Sequence, residues 1–198
     1  MELIVPNVDV KSEIDPMTDS TRPPRPPAPR FDYIPEELKL QDRWLCWSYS
    51  RRPNSKGEFN LIAHGRAGKA VRQSDQREWL SFADVRQLFE TGRFNGVGFI
   101  GGDGLVCLEE RQMDFQTFEQ IRELRTYAER NLSGDGCQAI AFATLPKGRC
   151  AHGTQRIHTK RVLVPLTGLQ LCGVTNHVER RENPMRYWYD RILLRVAN

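Results

Sequence analysis

Between Asp135 and Glu179 the chain has no aspartate or glutamate, yet Lys147, Arg149, Arg156, Lys160 and Arg161 all fall inside that stretch. A segment with one sign of charge makes a surface that attracts polyanions and releases them in salt. The same pattern also describes solvated cations scattered around a hairpin. Long apolar runs are missing as well: none approaches the roughly 20 residues of a bilayer span. The N-terminus lacks the basic start and apolar stretch of a secretory signal. A cytoplasmic protein without a membrane partner is therefore expected. Paired cysteines are also lacking. Cys46, Cys107, Cys137, Cys150 and Cys172 are scattered and odd in number, which suits reduced thiols better than a disulfide framework. Cys137, Cys150, His152 and His158 come nearest to a metal cluster. They contain no C-x-x-C or H-x-x-x-H pair, so no metal site is expected of them.

What is present is an ordinary globular composition: 198 residues, 27% charged and 39% hydrophobic, with a net charge of +4. That suffices for one full core and a small appendage. Residues 1–30 end in Arg-Pro-Pro-Arg-Pro-Pro-Ala-Pro-Arg, with five prolines among nine residues. Such a run favours polyproline II and removes backbone donors, which predicts a disordered leader, either a plain tail or a ligand for a proline-reading partner.

The folded part is expected from Phe31. Ile34–Leu38 reads as a short helical opening with Pro35 in its first turn. Trp44–Tyr49 reads as an aromatic strand, Arg51–Gly57 as a turn and Phe59–Ala63 as the returning strand. His64–Ala70 is too short for a Walker A loop and has Ala70 where a magnesium-binding hydroxyl belongs, so it reads as a basic surface turn. Trp79, Phe82, Val85, Leu88 and Phe89 repeat at helical spacing and stop at Gly92. Gly96–Ile100 and Gly104–Leu108 read as two strands around a Gly-Gly-Asp-Gly turn. A second helix is expected from Asp114 to Arg130, with Phe115, Phe118, Ile121, Leu124 and Tyr127 on its core face. Ala139–Thr144 and Arg156–Leu166 read as strands, Leu169–Val174 as a possible further one, and Arg186–Val196 as a closing helix. Hairpins mixed with helices point to an α+β fold.

One segment, Thr126–Gln138, stands out. Its Ser133-Gly134-Asp135-Gly136 turn has the glycines that let backbone N–H groups approach a phosphate. In order along the chain come Ile34-Pro35-Glu36-Glu37-Leu38 with Trp44-x-x-Trp47, then His64–Ala70, Trp79-x-Ser81-Phe82 and Gly96-Val97-Gly98-Phe99. Thr126-Tyr127-x-Glu129 with Ser133-Gly134-x-Gly136 follows, and Leu166-Thr167-Gly168 closes the series. From Ile34 to Val178 the chain thereby resembles the primase–polymerase domain of the archaeo-eukaryotic primase superfamily, in the branch found in phage and plasmid replication proteins. The resemblance implies a two-lobed α+β domain over residues 31–178 with an RRM-like mixed sheet packed by helices, and a helical extension over 179–198. It implies nucleotidyl transfer from nucleoside triphosphates with divalent metals held by an Asp-x-Asp pair and a third acid, and a histidine meeting the nucleotide.

Every one of those positions departs from the family pattern. The metal pair reads Glu109-Glu110-Arg111, the histidine position is Gln138, and the third acid falls at Arg156. Two like charges ~4 Å apart repel by roughly 4 kcal/mol at an effective dielectric near 20, so Arg111 opposes a divalent ion. No metal cofactor is then expected, magnesium or manganese returning only if the domain is active. Asp103 and Asp114 are the remaining carboxylates for an unorthodox site. Three classes of function follow: a catalytically inactive nucleic-acid- or nucleotide-binding protein of a mobile element, an active divergent primase–polymerase, and an interaction protein imitating a replication domain. In the first, Ser133, Gly134, Gly136 and Gln138 line a phosphate pocket, and Lys147, Arg149, Arg156, Lys160 and Arg161 contact nucleic acid. The expected partners are single-stranded or primer–template DNA, a nucleoside triphosphate and, since the chain carries no Walker A motif, a separate replicative helicase.

Overall fold

The computed structural model describes residues 23, 25–51, 59–146 and 149–196. Lys147, most of the leader and the turn after Arg51 lie outside the described residues.

The fold is α+β, built on two sheets. The first has the order β2-β1-β3-β9, from β1 (Trp44–Arg51), β2 (Phe59–His64), β3 (Gly96–Ile100) and β9 (Leu163–Leu166). The second has the order β5-β6-β4-β8-β7, from β4 (Leu105–Glu110), β5 (Ala128–Arg130), β6 (Cys137–Phe142), β7 (Arg149–His152) and β8 (Gln155–His158). The named strands all pair antiparallel. The mixed sheet implied by the resemblance is thus two antiparallel sheets, as the short links β1–β2, β5–β6 and β7–β8 favour.

Among the described residues four α-helices cover them: α1 (Glu36–Lys39), α2 (Phe82–Glu90), α3 (Phe115–Glu123) and α4 (Glu182–Val196). The start of α2 follows from its sequence, because the Ser81 hydroxyl accepts the Asp84 N–H and caps the first turn. Trp79, expected inside that helix, lies before it, between the 3₁₀ turn Gln76–Glu78 and the bridge from Leu80 to Trp44. Trp44 and Trp47 are buried in β1, and their indole N–H groups donate to Leu38 O and Val97 O. The Trp47 ring occupies the space over β3: a Cβ on Gly96 would lie 2.6 Å from it, so that position must be glycine.

Three expectations need correction. The Gly101–Gly104 turn does not close a hairpin. It hands the chain from β3 in the first sheet to β4 in the second. The run 156–166 is likewise two strands, β8 and β9, in different sheets. The second helix stops at Glu123 instead of Arg130. Arg125 turns the backbone to a left-handed φ of 48°, and the Thr126 hydroxyl then donates to Ile140 O at 2.6 Å, drawing 128–130 into the sheet. Tyr127 continues the helical period by coincidence, and Phe115, expected in the core, is 79% exposed. Leu169–Val174 forms no named strand, only a bridge between Gln170 and Glu129.

The core divides between the two faces of the second sheet. On one face Leu108, Ala139, Ile157 and Cys150 pack with Ile121 of α3 and with Met185, Trp188 and Ile192 of α4. On the other, Cys107, Ile140 and Tyr127 join Trp44, Phe99 and Val164 of the first sheet. Beyond that second cluster the sheets diverge and leave a cleft.

Candidate nucleotide and nucleic-acid cleft

A strand's period of two sends Cys107 and Glu109 to the cleft side of β4 and Glu110 to the other. Glu109 is the cross-strand partner of Gln138 on β6 and of Arg156 on β8. Three of the four positions singled out in the sequence, Glu109, Gln138 and Arg156, therefore share one row across the sheet. The fourth, Arg111, follows the end of β4 and places its Nε 3.4 Å from Glu109 Oε1. On the other side His158 Nε2 lies 3.2 Å from Glu109 Oε2. The His158 contact, aided by the charges of Arg156 and Arg111, holds the Glu109 carboxyl below its usual value against the opposing cost of burial.

That shift fixes a pH dependence. Because the folded carboxyl is more acidic than the unfolded one, its stabilisation is fully present above about pH 4.5, the ordinary glutamate value. It is lost as pH falls through the lower, folded value. Urea unfolding from pH 6 to pH 3 is expected to show a smaller acid-induced loss of stability in Glu109→Gln than in the parent. Equal losses in both would remove Glu109 from the linkage.

Gln138 does not present its amide to the cleft as a phosphate donor. Its Nε2 donates to Glu129 Oε1 at 2.8 Å and also to Pro165 O. Glu129 is the buried centre of this region, with 0% exposure. It accepts from the Tyr127 hydroxyl at 2.6 Å, from Gln138, and from the backbone N–H groups of Thr167 and Gly168 at 3.0 and 2.7 Å. Burial pushes its carboxyl up, and these donors pull against that. One carboxylate thus joins β5, β6 and the loop after β9. From sequence alone Glu129 falls in the second helix and in the Thr126-Tyr127-x-Glu129 motif without a role, because most of its partners come from segments distant in sequence.

The Ser133–Gly136 turn is also engaged internally. Asn131 Oδ1 accepts from the Ser133 hydroxyl and from the N–H groups of Gly134 and Gly136, at 2.9, 3.0 and 3.2 Å. The two glycine donors expected to cradle phosphate already have this partner. Gly136 has a packing reason instead: a Cβ there would lie 2.0 Å from the carbonyl oxygen of Glu110. Of the expected phosphate residues, Ser133 and Gln138 line the cleft and the two glycines do not. The Asn131-x-Ser133-Gly134 order is an Asx-turn signal and could have been read from sequence.

The cleft has a volume of about 810 Å³. Its floor is Glu109, Arg111 and His158; its opposite wall is Tyr49 and Phe59 of the first sheet, with ring centroids 6.1 Å apart. Arg25, from the proline-rich segment, also reaches it. That segment is tied down at Arg30, whose N–H donates to Thr167 O at 2.7 Å.

Among the described residues, the cations of the acid-free stretch fall on different elements. Arg156 lies in the sheet row of Glu109, next to the cleft lining but not part of it, and Arg149 pairs through β7 with His158. Lys160 and Arg161 sit beside the Gly101–Gly104 turn, away from the cleft lining. Arg161 pairs there with Asp103 at 2.9 Å. Residues 149–158 form the antiparallel hairpin β7–β8, and residues 159–162 then leave the second sheet for the first.

The arrangement does not fit a two-metal centre. Glu109 is flanked by Arg111, His158 and Arg156. Asp103 is held between Arg43 and Arg161, and Asp114 caps α3 through the Thr117 N–H, so neither serves as an alternative ligand beside Glu109. Among the described residues no group of three His, Cys, Asp or Glu is placed to hold a metal ion. Compared with models of known protein families and with curated proteins, the chain matches none.

Proposed function

We propose that this protein is a catalytically inactive relative of replication primase–polymerases from a phage or plasmid, and that its cleft binds single-stranded DNA or a nucleotide during replication or its control. The observation that carries this reading is the pairing of a cationic floor with an aromatic wall. Arg111 and Arg156 stand beside Glu109, where nucleotidyl transfer would need metal ligands, and Tyr49 and Phe59 stand opposite. A guanidinium holds phosphate directly through its planar fork of donors. Base stacking on aromatic side chains adds about 1–3 kcal/mol per base without selecting sequence. A backbone tracked by Arg25, Arg111 and Arg156 and bases set against Tyr49 and Phe59 make a consistent occupant. On this reading the protein acts in the cytoplasm beside a separate helicase.

Two measurements on one preparation test it. Fluorescence anisotropy with a labelled oligothymidylate should show binding that weakens with salt, with a log–log slope of about −2 for three phosphates neutralised. A primer-extension assay with manganese and nucleoside triphosphates should give no product. Incorporation that disappears in Glu109→Ala would establish an active polymerase in its place.

A further inference from the structure

The helix-covered face of the second sheet carries a polar row of its own. Glu110 on β4 pairs across strands with Gln155 on β8, and Gln155 pairs with His152 on β7. The neighbouring row on this face, Leu108, Ile157 and Cys150, is packed under α3 and α4. Past the end of that apolar packing, Glu110 and Gln155 form the floor of a cavity of about 820 Å³. Asp114 and Asp135 stand at one rim and Arg191 and Arg195 of α4 at the other.

Two independent observations show that this floor lacks a donor. Gln155 is 8% exposed, and among the described residues its Oε1 is buried without a hydrogen-bond partner. Glu110 is 2% exposed. Among the described residues its Oε1 accepts a single long bond, from the Gln112 N–H at 3.3 Å, and it makes no ion pair. A buried acceptor left unsatisfied is costly, and a buried carboxylate more so. Arg191 does not supply the missing charge: it donates to Gln120 Oε1 at 3.1 Å and lies over the Trp188 ring. Among the described residues no group of three His, Cys, Asp or Glu is placed here to hold a metal ion. A cation that brings its own N–H donors needs only the acceptors present.

We propose that this cavity binds a small organic cation, with a guanidinium or ammonium group seated between Gln155 Oε1 and the Glu110 carboxylate. The planar fork of a guanidinium can reach both acceptors at once. The site lies on the opposite face of the sheet from the cleft and does not depend on what the cleft binds.

Agmatine is the probe, titrated into the full chain by calorimetry and by amide NMR. Saturable binding is expected, with a shift of the Gln155 side-chain amide and none at Gln138. Gln155→Leu, close in volume, and Glu110→Gln should each weaken binding about tenfold or more, the effect of losing one charged hydrogen bond. Three results would overturn the proposal: no saturable binding at millimolar agmatine, unchanged affinity in a folded Gln155→Leu protein, or displacement of agmatine by equimolar magnesium. The shifts in the parent chain decide the matter even where a variant does not fold.

Discussion

Replacing Glu129 with alanine is expected to destabilise the protein by about 4 kcal/mol or more, the largest effect of any single change at the candidate site. The carboxylate is buried and serves four donors: the Tyr127 hydroxyl, the Gln138 amide and the backbone N–H groups of Thr167 and Gly168. Removing it leaves these donors inside without an acceptor, at about 1–3 kcal/mol for each group that water cannot reach. The losses do not simply add, since relaxation of the loop after β9 would let some groups find new partners. In a domain of this size each kcal/mol lowers the melting temperature by about 2–4 °C, so a fall of roughly 8–16 °C is expected by calorimetry. Tyr127→Phe removes one donor and keeps the carboxylate, and should cost only about 1 kcal/mol. Glu129→Ala melting within about 2 °C of the parent would show that the network contributes nothing to stability.

How far the sequence disclosed this fold depended on whether a local signal had a competitor. Helix α2 was legible in its body and its end, because the apolar spacing and Gly92 agree, while the spacing reads its start, capped by Ser81, three residues early at Trp79. The end of α3 was not. Tyr127 keeps the helical period, while the contact that overrides it, from the Thr126 hydroxyl to Ile140 O, joins residues on separate strands. The same limit applies to β3 and β4. A period of two with a glycine-rich link describes a hairpin and a passage between sheets equally well, and only the partners of each strand decide. Leu163–Leu166 leaves its neighbour β8 for the same reason, pairing instead with β3.

The candidate site divides along similar lines. The order of family-like positions anticipated that Glu109, Gln138 and Arg156 share a neighbourhood, and their cross-strand register places them in one row. It did not disclose what those side chains do. Gln138 is turned away onto Glu129, and the glycine turn is satisfied by Asn131. Tyr49 and Phe59 read simply as strand aromatics, because the cleft they wall is closed by a sheet far away in sequence.

Charge reversal at Arg111 and Arg156 is expected to weaken single-stranded DNA binding about 100-fold or more at low salt. Each arginine lost as a phosphate partner removes a charged hydrogen bond of about 1.5–3 kcal/mol, and each new glutamate adds repulsion beside Glu109. The log–log salt slope should also flatten by about 1.4, since two phosphates are no longer neutralised on a single strand. Slope and affinity together separate this from unfolding, which would abolish binding without leaving a measurable slope. Arg156 is half-buried in the sheet, so reversal there also costs stability. Arg111 has a half-exposed side chain on the bend after β4, and Arg111→Glu alone should lose about tenfold while melting as the parent does. Lys160 provides the contrast. It carries the same charge in the same acid-free stretch, but it lies beside the Gly101–Gly104 turn, neither in the cleft lining nor in the sheet row of Glu109. Lys160→Glu should therefore shift affinity by less than about threefold, the scale of an exposed charge contact. Should Lys160→Glu prove as damaging as Arg111→Glu, nucleic acid would be following the acid-free surface and not the cleft.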